Sequence, residues 1–468
     1  MKEPQLDSLD RLIDQAVILG ASYASIMHHE IESSIITAEN GVMKSYVNGK
    51  IAGLGIRVIV DGTLGIASST NLDFPTLRTQ VEYAVKMAQA TKTQRKVINL
   101  STEKVIKTTS KSQLISDPSS VSDQEKIEIA INANKSAMLD GVKSSITRLA
   151  WLHERRIFKS SEGSDVTSDM TMTGLSQSSI ASFEGEMESF SDSKSRCAGF
   201  EYISRIDWCE FSKEVSETAL RVVRARTPKA GYYHVVADPD LVGLILHEAF
   251  GHATEADLVT VKESVLDNCL GKSVASPLVT ILDEGVHEGG YFFPYDDEGS
   301  AKTKQIIVDK GILMGFLHSR ETAHEMNTGS TGNARTQSFS DKPIVRQTNF
   351  FMEAGEQEVE ELIEEIEDGL YLCGRGARGG EVDVGLGTFT FRAGPSYMIR
   401  KGEVSDMVRG VSISGMILDT LKHLDAVGKE LKVKTSIFGG CGKDGQMVRV
   451  GHGGPYVRIR GVMVGGGI

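Results

Sequence analysis

The chain has 468 residues, 40% hydrophobic and 24% charged, enough for two or three domains with sizeable buried cores. Its formal charge is −12, which repels phosphate and argues against nucleic acid as a partner. Five scattered cysteines without paired spacing argue against a disulfide framework, and with no signal-peptide pattern and no run of about 18 apolar residues the expected setting is the reducing cytoplasm, with no membrane span.

The start, MKEPQLDSLDRLIDQAV, reads as a charged amphipathic helix. Its stripe is Leu9, Ile13, Ala16 and Val17, and the helix extends over Leu6 to Leu19. Four strands are predicted next, in ASIMHHEIESSIITA, GVMKSYVNG, KIAGLGIRVIVDG and TLGIASST. Asn-Gly and Asp-Gly pairs separate them, residues that accept the positive φ of tight hairpin turns. A helix follows from Pro75 to about Thr91, with proline at its start, where the missing N–H costs nothing. The order then recurs: a helix over Asp123 to Met138, strands in VKSSITRLAWLHERRIFKSSEG, SDVTSDMTMTGLSQSS and IASFEGEMESFSDSK, and a helix over Trp208 to Arg226. AENGVMKSYVNG and SEGSDVTSDMT sit at equivalent points, which reads as an internal duplication of helix, curved sheet, helix.

RTPKAGYY around Pro228 marks the domain boundary. We expect an α+β chain with an N-terminal domain over 1–226 and a β-rich domain over 227–468. In the second, short β runs alternate with glycine, the pattern of an antiparallel barrel or sandwich. Helices interrupt it around Val359, Leu362, Ile363 and Ile366, and near Ile417 to Ala426. The acidic run Glu356 to Asp368 reads as a solvated helix face.

HEAFGHATEAD concentrates the chemistry. His247, Glu248 and His252 supply two imidazole donors and a carboxylate, the equipment of metal-assisted hydrolysis. The familiar HExxH spacing puts the histidines four apart on one helix face. Here they are five apart and diverge by about 140° on a regular helix. One metal can join them only if the helix unwinds, bulges or ends, and Gly251 is where it could do so. A catalytic zinc needs a third protein ligand. Cys441, in FGGCGKDGQ, is the best thiol, with Lys443 placed to favour its thiolate; the alternative is a free cysteine in a glycine turn. Glu255 is a possible orienting partner for a ligand imidazole, Asp257 a weaker one. Cys209 reads as a helix core residue, and Cys269 and Cys373 lack a supporting motif. His452, in VGHGGPYVRI, lies near enough in sequence to face the site; the remaining histidines read as structural. The run GRGARGG lacks the lysine and hydroxyl ending of a phosphate loop.

These residues resemble the TldD/PmbA family, and within it the TldD-like metallopeptidase branch. HEAFGHATEAD and GGCGKDGQ carry the resemblance most specifically, supported by STGNAR, GGEVDVGLGTFTF, YMIRKGEV and GHGGPYVRI. The resemblance implies zinc on His247, His252 and Cys441, with Glu248 as general base. It implies a zinc metallopeptidase for small or unfolded polypeptides, bound as an added strand. It also implies a dimer, with a paralogous PmbA-like subunit or with itself. The competing expectation is a non-catalytic, protein-binding modulator with a structural zinc, which a fourth protein ligand would favour.

Overall fold

The computed structural model describes residues 6–91 and 97–466; the first five residues of the amphipathic start lie outside them. The first helix, α1 (Leu6–Ile18), buries Leu9, Leu12, Ile13 and Ala16. Val17, expected in the stripe, is instead 46% exposed, because the buried face centres on Leu12 rather than on the helix end.

Long strands follow: β1 (Tyr23–Glu39), β2 (Val42–Val60) and β3 (Thr63–Ser69), then α2 (Phe74–Ala90). Asn40-Gly41 and Asp61-Gly62 form the predicted turns, all four residues at positive φ. Asn48-Gly49 does not turn; both residues pair with Ser33 and Ser34 inside β2. The long neighbouring β1 supplies continuous ladder partners there, and tertiary pairing overrides the local turn preference. After β4 (Lys107–Lys111) come α3 (Asp123–Ser136), β5 (Val142–Ser160), β6 (Asp165–Phe183), β7 (Glu186–Arg196), α4 (Phe200–Ser204) and α5 (Trp208–Val222). The turn between β6 and β7 falls at Glu184-Gly185, not near Ser179 as the sequence divided it.

All seven strands form one sheet, in the order β3-β2-β1-β5-β6, with β7 and β4 both beyond β6. Each half repeats the path of its partner about the central antiparallel β1–β5 pair. The turn at Gly41 corresponds to the one at Gly163, both at positive φ, as the paired sequence fragments anticipate. Alternation along the strands sends Ile26, Ile36, Leu149 and Leu175 to the face covered by the helices. Ile35, Ala150, Leu152 and Met172 point the other way, onto Tyr291, Phe293 and Ile437 of the second half.

That second half holds a nine-stranded and a six-stranded sheet beside two-stranded pieces. It is β-rich, but no closed barrel forms among the described residues, and it is not purely antiparallel. Asn349–Met352 pairs parallel with Gly451–Gly454, and Asp368–Leu372 pairs parallel with β8 (Gly231–Ala237). The expected helices are short, Val359–Glu364 and Ile417–Lys422, and Leu424–Val427 is a strand. One large core joins both sheets to the helix that follows β8, so the segment carrying His247 and His252 is gripped on several sides. No helix is long and apolar enough to cross a membrane.

A candidate metal centre at a widened helical turn

The helix α6 (Pro239–Ile245) starts cleanly: Asp238 accepts from the Leu241 N–H at 2.8 Å, and Pro239 occupies the first turn. Gly243 lets it lie directly on Gly453, where an added Cβ would come within 2.7 Å of backbone. Leu246–Gly251 then widens into a π-helical turn, and His252–Thr254 tightens into a 3-10 turn. The His252 N–H donates to the His247 carbonyl, an i→i+5 bond. Five-residue spacing is therefore one turn apart here, and the two rings stand 5.2 Å apart centroid to centroid. Single π turns recur at functional sites because they realign side chains in this way.

Gln347 holds the turn open. Its Nε2 also donates to the His247 carbonyl, at 3.0 Å, and its amide fills the space beside Gly251, where a Cβ would lie 2.0 Å from Oε1. Gly251→Ala is expected to cost about 1–3 kcal/mol by overpacking, measured by denaturant unfolding of the two chains side by side.

The thiol arrives on a hairpin, Cys441–Lys443 with Gln446–Val448, turned by Asp444-Gly445 at positive φ. Arg346, fully buried, donates to the Cys441 carbonyl at 2.6 Å and to the Gln446 carbonyl at 3.2 Å. Adjacent residues thus fix both arms: Arg346 the hairpin, Gln347 the helix. Neither stood out in the sequence, where the available signal was a polar pair inside the apolar run PIVRQTNFF.

His247, Glu248, His252 and Cys441 offer ligand atoms that all lie within 4.8 Å of one another. Cys441 Sγ is 3.0 Å from His252 Nε2. Both ring nitrogens of His247 are buried without a hydrogen-bond partner, a costly arrangement that a cation would relieve. Burial, then the neighbouring His252, holds the His247 pKa well below the ordinary histidine value, so the ring is a neutral donor. Burial raises the Glu248 pKa, and its side chain remains 38% exposed at the rim. Burial opposes a charged His252, yet Glu255 and Cys441 outweigh it and hold that pKa up to about 10. Two imidazoles and one thiol, with a carboxylate alongside, form a donor set that suits zinc.

Behind the donors lies an ionic clamp. Glu255, wholly buried, accepts from His252 Nδ1 at 3.0 Å and from Lys443 Nζ at 2.8 Å. Lys443 also reaches Asp257 at 2.7 Å and donates to the Val345 carbonyl at 3.1 Å. The lysine expected to favour the thiolate is thus spent on two carboxylates, and it ties the cysteine hairpin to the histidine segment. Lys443→Met is expected to weaken metal affinity about 10–100-fold, as losses of ligand-orienting partners do, read by chelator competition. His452 does face the site: its ring is 6.1 Å from that of His247, and burial lowers its pKa to about 4. It is outside the converging group, as are Cys197, Cys209, Cys269 and Cys373. Cys209 lies half-buried in α5 rather than in its core. Gly374–Gly380 leads into a strand, with Arg375 paired to Asp192 and Glu214.

Comparison with known proteins places the chain. Family models match throughout: PmbA/TldA metallopeptidase domain 1 over residues 24–90, the central domain over 116–223 and the C-terminal domain over 230–466. A metalloprotease of Methanothermobacter thermautotrophicus is 37% identical over 95% of both chains. A zinc metalloprotease TldD homolog of Saccharolobus solfataricus is 27% identical over 97% of this chain and 99% of its own. The fold matches crystal structures of TldE from Thermococcus kodakarensis (TM-score 0.79, 19% identity, 98% and 100% covered) and of a proposed DNA gyrase modulator from Thermotoga maritima (0.80, 22%, 98% and 99%). This protein therefore belongs to the PmbA/TldD family.

Proposed function

We propose that the chain is a zinc-dependent peptidase acting on small or unfolded polypeptides, with His247, His252 and Cys441 holding the metal and Glu248 as general base. The convergence of those four side chains within 4.8 Å carries the reading. When bound there, zinc supplies Lewis-acid polarisation of a carbonyl and makes nearby water more acidic. Glu248, its pKa raised by burial, takes the proton of the attacking water and passes it to the leaving amine. Glu255 fixes the orientation of the His252 ring through Nδ1, leaving Nε2 turned toward Cys441. Backbone pairing with an extended substrate would give tolerance of many sequences. The reading includes the cytoplasmic setting and the dimer, with a PmbA-like paralogue or with itself, which the molar mass of the purified chain tests.

The test is mass spectrometry of a defined unfolded peptide incubated with the zinc-loaded chain. Discrete fragments that vanish with chelator and return with added zinc are the expected result. Stoichiometric zinc without any cleavage would favour the modulator, with Glu248 closing the site as a fourth ligand.

A further inference from the structure

A second site lies where the two halves of the chain meet, in a cavity of about 340 Å³. Its polar wall carries Arg156, Arg335, Arg449 and Glu154. Glu154 is already spent: Oε1 takes His29 and Arg156, both at 2.8 Å, and Oε2 takes the Tyr291 hydroxyl at 3.2 Å. Arg156 is spent too, paired with Glu154 and with Asp297 at 2.6 Å.

Arg335 and Arg449 are left over. Arg335 is 2% exposed. It donates only to carbonyl oxygens, of Gln347 at 2.7 Å and Arg449 at 2.6 Å, and its Nε has no partner. Its guanidinium lies 4.4 Å from the centre of the Phe293 ring. The Arg449 Nε is likewise buried without a partner. Neither arginine makes an ion pair among the described residues. A buried cation without a direct ion pair is expensive, and burial pulls the Arg335 pKa down to about 10 although Asp297 lies near enough to oppose it. Arg449 is partly buried, and with Arg156 the wall carries three guanidinium groups against one carboxylate, Glu154; that excess of positive charge calls for an anion.

The rest of the cavity says which anion. Ile31, Ile51, Ile437, Phe438 and Met447 form an apolar lining beside the arginines, with Ile51 and Met447 more than half exposed. Ile51 belongs to the stretch of β2 that β3 does not cover, since β3 pairs only with Leu54–Val60. That outer edge is open to an extended segment. Guanidinium groups, an apolar lining and an open strand edge together match the end of a polypeptide.

We propose that this cavity binds the C-terminal carboxylate of an extended polypeptide on Arg335 and Arg449, with its last side chain on the apolar lining. That this polypeptide is the substrate rests on the peptidase reading; the binding does not. The cavity also borders the metal centre's scaffold, since Arg335 bonds the carbonyl of Gln347 and Met447 and Val448 belong to the Cys441 hairpin.

The experiment measures fluorescence anisotropy of labelled, unstructured peptides with the zinc-loaded Glu248→Gln chain. One peptide ends in leucine as the free acid, one in leucine amide, and one in glutamate amide. The free acid is expected to bind at least about tenfold more tightly than either amide, the scale of a charge-assisted contact. Arg449→Gln in the same chain should abolish that preference without moving the melting temperature. Equal affinities, a preference that survives Arg449→Gln, glutamate amide binding as tightly as the free acid, or no binding at all each overturns the proposal. If the wild-type chain cleaves nothing while the free-acid preference stands, only the peptidase reading fails.

Discussion

Glu248→Gln is expected to retain stoichiometric zinc and lose peptide cleavage by about 10²–10⁴-fold, the usual contribution of a positioned general base. The substitution keeps the size and polarity of a side chain that is 38% exposed, so the fold has little reason to respond. Its carboxylate lies 3.7 Å from His252 Nε2, close enough to act on water at the same centre but on the solvent side of it. A glutamine there still accepts a hydrogen bond but cannot take a proton. Zinc by elemental analysis and initial rates on one peptide decide the matter. If the metal leaves with the carboxylate, Glu248 is a ligand, and the site is a closed structural one. If cleavage persists at the wild-type rate, another group supplies the base.

Much of the arrangement was legible in the sequence, and for identifiable reasons. The turns at Asn40-Gly41 and Asp61-Gly62 were readable because positive φ at consecutive residues restricts the choice of side chain. Asn48-Gly49 carries the same letters and is a strand interior, since what decided it was β1 alongside, a partner encoded elsewhere in the chain. The five-residue spacing of His247 and His252 demanded a distortion, and Gly251 marked the place. What the spacing could not show was its form, a π turn, or its agent, Gln347, which is far along the chain. Lys443 illustrates the same limit. Next to a glycine-flanked cysteine it looked like a thiolate partner, yet its ammonium finds two carboxylates on another segment, because a buried ammonium is held by whichever acids reach it.

The parallel pairs of the second half were hidden for a related reason. Glycine-punctuated short strands signal hairpins when consecutive strands pair. Here Asn349–Met352 lies beside Gly451–Gly454, and β8 beside Asp368–Leu372, so partners are far apart in sequence. These long-range pairings also build the candidate site. They set Gln347, which precedes one strand, and His452, within another, beside the widened turn.

Cys441→Ser should abolish stable zinc binding while leaving the polypeptide folded. Cys441 is 5% exposed and its sulfur lies 3.0 Å from His252 Nε2, and serine presents a neutral hydroxyl that is a poor zinc ligand beside a thiolate. The hairpin should persist, because Arg346 grips the Cys441 backbone carbonyl rather than its side chain, and the clamp through Lys443 to Glu255 and Asp257 is untouched. The thermodynamic signature is sharper than a loss of activity. A ligand that binds only the native chain stabilises it by RT ln(1 + [L]/Kd), about 2.7 kcal/mol at a hundredfold excess over Kd. Wild-type chain should therefore melt at a higher temperature as free zinc is raised, and Cys441→Ser should melt at one temperature throughout. A variant that still gains stability with zinc would remove Cys441 from the ligand set and leave His247, His252 and Glu248 to hold the ion.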